Sequence, residues 1–260
     1  MPTILLSEMA WPDVKQAIEE GRTVILPVGS TEQHGPQLPL DTDIVNSFEI
    51  AKAAAGRTGC LVAPPLYYGI TPHWMGFPGT MSIDYETWIR FATQICQSLA
   101  RHGFRKIVIL NGHGGNAAAI QLVAQNVAEA SEGKCSLAAF SYWDVAADQV
   151  NAIRRSPPGG MGHSCELETS LQLHLRGELV KMDRAVKNPR TRGSDFESVD
   201  MMDSKKYVLF YSVGGGGAAC EPGESGTLGD PTVATKETGA KFFDAIVTQT
   251  SLVLKDFATR

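Results

Sequence analysis

The chemistry in this sequence is concentrated in a few acidic and imidazole side chains. Glu32-Gln33-His34-Gly35 is followed closely by Asp41-Thr42-Asp43, and Asn111-Gly112-His113-Gly114-Gly115-Asn116 comes much later. Carboxylate oxygens combined with imidazole nitrogens suit Zn²⁺, Mn²⁺ or Fe²⁺, or acid–base catalysis. The absence of a nearby cysteine disfavours a purely structural zinc site. A second group, His163-Ser164-Cys165-Glu166-Leu167-Glu168-Thr169-Ser170, opens a predicted helix. His163 and Glu166 are three apart and would share one helix face, with Glu168 pointing elsewhere. Either Glu166 or Glu168 is a candidate ligand or base, the other then being a structural carboxylate.

Apolar runs and amphipathic stretches alternate along the chain, and these must place the polar groups. Residues 23–28, 60–63, 106–110 and 135–142 read as strands. The first and third lack polar alternation, as strands covered on both faces do. Helical spacing covers residues 43–55, 85–100, 116–130 and 235–254. Such alternation predicts an α/β fold, a mainly parallel sheet with helices on both faces. Ligands of such sheets bind outside the carboxyl ends of the strands. Glu32 and His34 follow the first strand and His113 the third, while Asp43 begins a helix, so distant segments meet at one rim. Residues 180–233 are the exception, rich in Gly, Pro, Asp and Ser, with one strand candidate at 207–211 and glycines at 214–217. The reading is one domain over 1–260.

Composition narrows the function classes. The 260 residues are 43% hydrophobic and 20% charged, as in a globular protein, with a formal charge of −5. No Lys/Arg block stands out, which argues against a nucleic-acid partner. No run approaches the ~20 apolar residues needed to span a membrane, and no signal pattern opens the chain, so a cytoplasmic location is expected. Cys60, Cys96, Cys135, Cys165 and Cys220 are odd in number and unpaired in spacing, and read as reduced thiols. The glycine clusters have neither Rossmann nor P-loop spacing.

These motifs, in this order, resemble the creatininase family. The resemblance is carried by Glu32-Gln33-His34-Gly35 with Asp43 beyond it, Phe77-Pro78-Gly79-Thr80, Asn111-Gly112-His113, Ser141-Tyr142-Trp143-Asp144, His163 leading into Glu168-Thr169-Ser170, and Gly226-Thr227-Leu228-Gly229-Asp230-Pro231. It implies a three-layer α/β sandwich, usually assembled as a homohexamer. It also implies two divalent metal ions per subunit, Zn²⁺ and/or Mn²⁺ with Fe²⁺ compatible. The implied activity is an amidohydrolase acting on non-peptide C–N bonds of a small cyclic or related amide through a metal-bridging hydroxide. A deformylase acting on a formamidopyrimidine-type substrate is the alternative within the family, and a non-catalytic, metal-stabilised assembly protein the alternative outside it. By motif match Glu32, His34, Asp43 and His113 are metal ligands, Asp43 bridging, and His163 is the catalytic histidine.

One departure matters. Creatinine-hydrolysing members that this chain resembles have a metal-binding Glu where Gly115 stands. Other members carry Gly-Gly there and a Glu three residues past the catalytic histidine, which makes Glu166 the expected replacement ligand and a catalytic group. Two divalent ions are then neutralised by Glu32, Asp43, Glu166 and one hydroxide, a combination suited to burial. A tryptophan expected before the catalytic histidine is replaced by Gly159-Gly160-Met161-Gly162, read as a mobile lid. Trp143 is the expected wall for a planar substrate. His73, Trp74 and Thr80 are expected to line the pocket, and Gly114 and Gly115 to let the backbone approach metal or substrate.

Overall fold

A computed structural model of the chain describes residues 3–190, 198–202 and 225–260. The predicted strand at 207–211, the glycines at 214–217 and Cys220 lie outside the described residues. After helix α1 (Trp11–Glu19) the chain enters β1 (Val24–Val28), α2 (Thr42–Thr58) and β2 (Leu61–Val62). Then come α3 (Tyr85–His102), β3 (Lys106–Asn111), α4 (Ala117–Ala130), β4 (Ser136–Ser141) and α5 (Ala147–Ile153). A short strand β5 (Met161–His163) leads into α6 (Glu166–Arg176), and β6 (Leu228–Gly229) precedes α7 (Lys236–Thr259).

β2, β1, β3 and β4 form a parallel sheet in that order. Side chains of successive strand residues leave opposite faces, and here both faces are covered. Ile25, Val62, Val108 and Leu110 enter one apolar layer with Ile50 of α2, Leu167 of α6 and Phe242 and Ile246 of α7. Val24, Leu26, Ile107 and Ile109 enter the other, with Ala17 of α1, Trp88 of α3 and Ile120 and Val123 of α4. This double burial is why β1 and β3 read as unbroken apolar runs. Each such aliphatic side chain contributes about 1.5–3 kcal/mol. Pro27 is tolerated in a central strand because β2 has already ended, opposite Ile25.

The helices end where their sequences say they should. Asp84 caps α3 by accepting from the Thr87 amide, and Thr235 caps α7 by accepting from that of Thr238. Gly59 and Gly103 close α2 and α3 with φ of 75° and 112°. Inside α7, Gly239 lets α6 approach, since a Cβ there would lie 1.8 Å from the Ser170 carbonyl oxygen.

Two elements depart from the sequence expectation. His163 and Glu166 share no helix face: His163 ends β5, which pairs antiparallel with β6, and α6 starts only at Glu166. Ser164 separates them in a left-handed conformation, φ 55°, which no helix continues. The Gly159-Gly160-Met161-Gly162 run is no free lid either. The Gly159 and Met161 amides donate to Asp200, that of Gly160 donates to Pro157, and β6 holds the rest.

Candidate metal centre

Five segments converge beyond the carboxyl ends of β1 and β3. The loop after β1 supplies Glu32 and His34, and the Glu32 amide donates to the Leu40 carbonyl to close it. The first turn of α2 supplies Asp43. β3 ends at Asn111, whose side chain accepts from the His113 amide at 3.0 Å and donates to the His113 carbonyl at 2.7 Å. That clamp turns His113 over the strand ends. β5 delivers His163, and the first turn of α6 delivers Glu168. All are buried except His163, whose side chain keeps 14% exposure.

Each histidine has one ring nitrogen facing a backbone carbonyl and the other facing carboxylates. His34 places Nδ1 3.1 Å from the Glu32 carbonyl, leaving Nε2 2.8 Å from Asp43 Oδ1 and 3.9 Å from Glu168 Oε1. His113 places Nε2 3.0 Å from the Ile70 carbonyl, leaving Nδ1 3.3 Å from Glu32 Oε1 and 2.9 Å from Asp43 Oδ2. His163 places Nε2 2.7 Å from the Gln33 carbonyl and 3.0 Å from the Gln33 side-chain amide, leaving Nδ1 3.6 Å from Glu32 Oε1. A carbonyl can only accept, so the nitrogen facing it carries a proton, and the carboxylate-facing nitrogen becomes a lone-pair donor to a cation when it gives up its own.

The carboxylates complete the arrangement. Asp43 stands between two groups, Oδ1 towards His34 and Oδ2 towards His113. Three sets of potential ligand atoms lie within 4.8 Å of one another: Glu32, Asp43 and His113; His34, Asp43 and Glu168; and Glu32, His34 and His163. Both Glu32 oxygens and Asp43 Oδ2 are buried without a hydrogen-bond partner. The 2.9 Å approach of His113 to Asp43 Oδ2 is close in distance but lacks hydrogen-bond geometry. Buried carboxylate oxygens are costly when left so, and lone pairs aimed at a common point suit a shared cation. The donor set fits divalent metals.

Electrostatics agree with that fit. Burial pulls the His34 imidazole down, yet Asp43, Glu168 and Glu32 outweigh it and raise it to about 10. Burial opposes charge on His113 too, and Glu32 and Asp43 lift it well above the usual range. Burial works against ionised Asp43, but the two imidazoles hold it below the ordinary carboxylate range. Burial pushes Glu168 up to about 7. It also drives His163 down to about 3, with His34 adding to the effect, so this imidazole is neutral. The carboxylates therefore draw positive charge onto His34 and His113, and a divalent cation would compete with protons for the same lone pairs.

The expected site residues divide. Glu32, His34, Asp43, His113 and His163 come together. Glu166 does not join them: fully buried, it accepts from the Arg155 amide at 2.8 and 3.1 Å and from the Ser156 amide at 2.7 Å. Glu168, two positions on and about 200° around the helix, lies beside His34 and Asp43 instead. Trp143 packs in the apolar layer, edge-on to Tyr142. Trp74 stacks on His163 with centroids 4.5 Å apart, and His73 lies parallel to His113 at 6.2 Å. Thr80 is buried and accepts from the Gln33 amide, supporting the loop. Gly114 has open space where a Cβ would be. Gly115 is the constrained glycine, because a Cβ there would lie 2.0 Å from the Ile70 oxygen and 2.5 Å from His113 Nε2. Sequence reasoning missed Gln33, although it lies inside the first motif. A cleft of about 640 Å³ lined by Tyr85, Ile89, Arg90 and Asn126 contains none of these groups.

A sequence profile described as "Creatininase: Creatinine amidohydrolase" matches residues 7–254. The chain belongs to the creatininase family. It is 33% identical to the creatinine amidohydrolase of Pseudomonas putida, over 72% of this chain and 77% of that one. It is 32% identical to the mycofactocin precursor peptide peptidase of Mycobacterium ulcerans, over 94% and 88%. A creatininase crystal structure superimposes with a TM-score of 0.84 at 25% identity, covering 98% of both chains. A manganese creatininase and a creatininase variant of Zn–Zn type, both 26% identical, superimpose with TM-scores of 0.83 over 98% of both chains. The protein is thus a hydrolase of C–N bonds in a family whose structures hold divalent metals.

Proposed function

We propose that this chain is a dinuclear metal-dependent amidohydrolase acting on a small amide, cyclic or formamide-like. The observation that carries the reading is that both Glu32 oxygens and Asp43 Oδ2 are buried without hydrogen-bond partners, beside imidazoles braced on backbone carbonyls. Glu32, Asp43 and His113 would hold one cation, and His34, Asp43 and Glu168 the other, with Asp43 shared. Bound there, divalent ions supply a water acidified from ~15.7 towards ~7 and a Lewis acid for a carbonyl oxygen. Two divalent charges are balanced by Glu32, Asp43, Glu168 and one hydroxide, so Glu168 takes the place expected for Glu166.

His163 is the proton carrier in this reading. It is neutral, its Nδ1 faces the cluster, and its Nε2 stays with the Gln33 carbonyl. A neutral imidazole so oriented can take a proton at Nδ1 and return it to a leaving nitrogen. Trp74 over His163 fixes the ring plane and narrows access. His73, beside His113, has its titration pulled down by burial and supplies a neutral polar wall. The reading extends over 1–260 as one domain in the cytoplasm. It includes a homohexamer, for which the exposed Tyr67, Tyr68, Met75 and Met81 are support.

The test is metal depletion followed by a panel of cyclic amides, formamides and a short linear peptide. Turnover should vanish on chelation and return with Mn²⁺ or Zn²⁺, on a cyclic amide or formamide. Full turnover by metal-free protein overturns the mechanism, and turnover confined to the linear peptide overturns the substrate class.

A further inference from the structure

We propose that the Ser164 hydroxyl is a positioning group that locks the His34–Glu168 half of the site to the strand bearing His163. The inference rests on the metal reading above.

Ser164 is fully buried and directly follows His163. Its hydroxyl donates to the His34 carbonyl at 2.5 Å, across 130 residues of sequence. Its amide donates to Glu168 Oε2 at 2.5 Å, which leaves Oε1 as the oxygen turned towards His34. Gln37 closes the arrangement by donating from Nε2 to the Ser164 hydroxyl at 2.8 Å and to its carbonyl at 3.1 Å. One residue therefore touches the backbone of one candidate ligand, the carboxylate of another and the chain of the proton carrier.

The backbone at Ser164 is held against its preference. A φ of 55° is left-handed, where a side chain is rarely placed and glycine fits readily. Such strain persists where the surroundings over-determine it. If this position only shaped a turn, glycine would serve better. The hydroxyl is what glycine lacks, and its bond to His34 is the candidate reason for a serine here. Groups that orient metal ligands from behind change metal affinity by ~10–100-fold when removed.

Ser164→Gly and Ser164→Ala separate the hydroxyl from the backbone. Zn²⁺ affinities of both sites, thermal midpoints and steady-state kinetics are measured on the full chain. Both variants should lose ~10-fold or more in affinity for one of the two ions, with kcat falling and KM little changed. Ser164→Gly should melt close to wild type, relief at the left-handed φ offsetting the unpaired His34 carbonyl and Gln37 amide. Wild-type affinity for both ions in Ser164→Gly overturns the role, as does a parallel loss at both sites with a lowered midpoint. A wild-type chain that takes up no metal overturns the metal reading itself, a separate result.

Discussion

Two buried carboxylate clusters flank the first turn of α6, and they are built in opposite ways. On one side Glu166 receives three contacts from two backbone amides. Nearby, Asp200 accepts from the amides of Gly159, Met161 and Met202 and pairs with Arg154 at 2.7 Å. On the other side Glu32 and Asp43 keep buried oxygens with no hydrogen-bond partner, facing imidazole nitrogens. Burial is equal in the two. The difference is saturation: a structural carboxylate has its lone pairs filled by the fold, while a binding carboxylate has them directed at something the chain does not provide.

The sharpest way to break this contrast is to neutralise one glutamate from each cluster. Glu168→Gln should weaken metal binding by ~150- to 4,000-fold, the size expected from ~3–5 kcal/mol when one partner of a buried ionic group is removed. Activity should fall at least as far. Metal-free Glu168→Gln should be no less stable than wild type. The folded value of Glu168 is raised to about 7, so its ionised form opposes folding above the ordinary carboxylate range. Glu166→Gln should do the reverse. Its amide group would face the N–H donors of Arg155 and Ser156, costing ~3 kcal/mol, or roughly 10 °C in the melting midpoint. Two metals should remain. Metal analysis and calorimetry on the pair decide it: loss of metal from Glu166→Gln alone would reverse the assignment.

A smaller effect is expected at Gly115, which lies against His113 in the proposed metal site. Where the resemblance to creatinine-hydrolysing members implies a glutamate, this chain brings the Ile70 carbonyl against His113. A Cβ at 115 would collide with that oxygen. Gly115→Ala should therefore disturb His113 and lower affinity for the ion shared by Glu32, Asp43 and His113 by ~10–100-fold. The ion held by His34, Asp43 and Glu168 should bind as before. Wild-type affinity at both sites would mean that the carbonyl is incidental.

The same contrast explains what the sequence could reveal. The strands and most helices were legible because apolar periodicity reports burial, and burial on both faces of β1 and β3 leaves an unbroken run. That Glu32, His34, Asp43 and His113 meet was legible because each lies just past such a strand or opens a helix. Glu166 and Glu168 were not separable in this way. Both fall in one helical turn, and their roles depend on the φ of 55° at Ser164, which has no marker in a serine's identity. The lid reading of the glycine run failed for a related reason. Asp200, forty residues away, fills those amides, and no local pattern announces a partner at that distance. Trp143 lies in the apolar layer, since a tryptophan after a strand packs inward as readily as it lines a pocket.

The smallest effect expected is at the strap joining the two helices that carry Asp43 and Glu168. Arg176, at the end of α6, donates to both oxygens of Asp41, just before α2, at 2.9 and 2.8 Å. Unlike either buried cluster this pair meets water, with Asp41 34% exposed. The Arg176 hydrogen bonds, against the opposing effect of burial, hold Asp41 below its ordinary 3.8. A lowered carboxylate contributes stability that is fully present above the unfolded value of 3.8. That stability is lost as pH falls through the lower folded value. Solvent screening limits it to about 1 kcal/mol or less, so Asp41→Asn should lower the midpoint by only ~2–4 °C at neutral pH. The difference from wild type should shrink to nothing in strong acid, as Asp41 itself becomes protonated. Thermal melts across that range check the sign. A deficit that persists below the folded value would show that Asp41 acts through packing, which would place it with the saturated cluster.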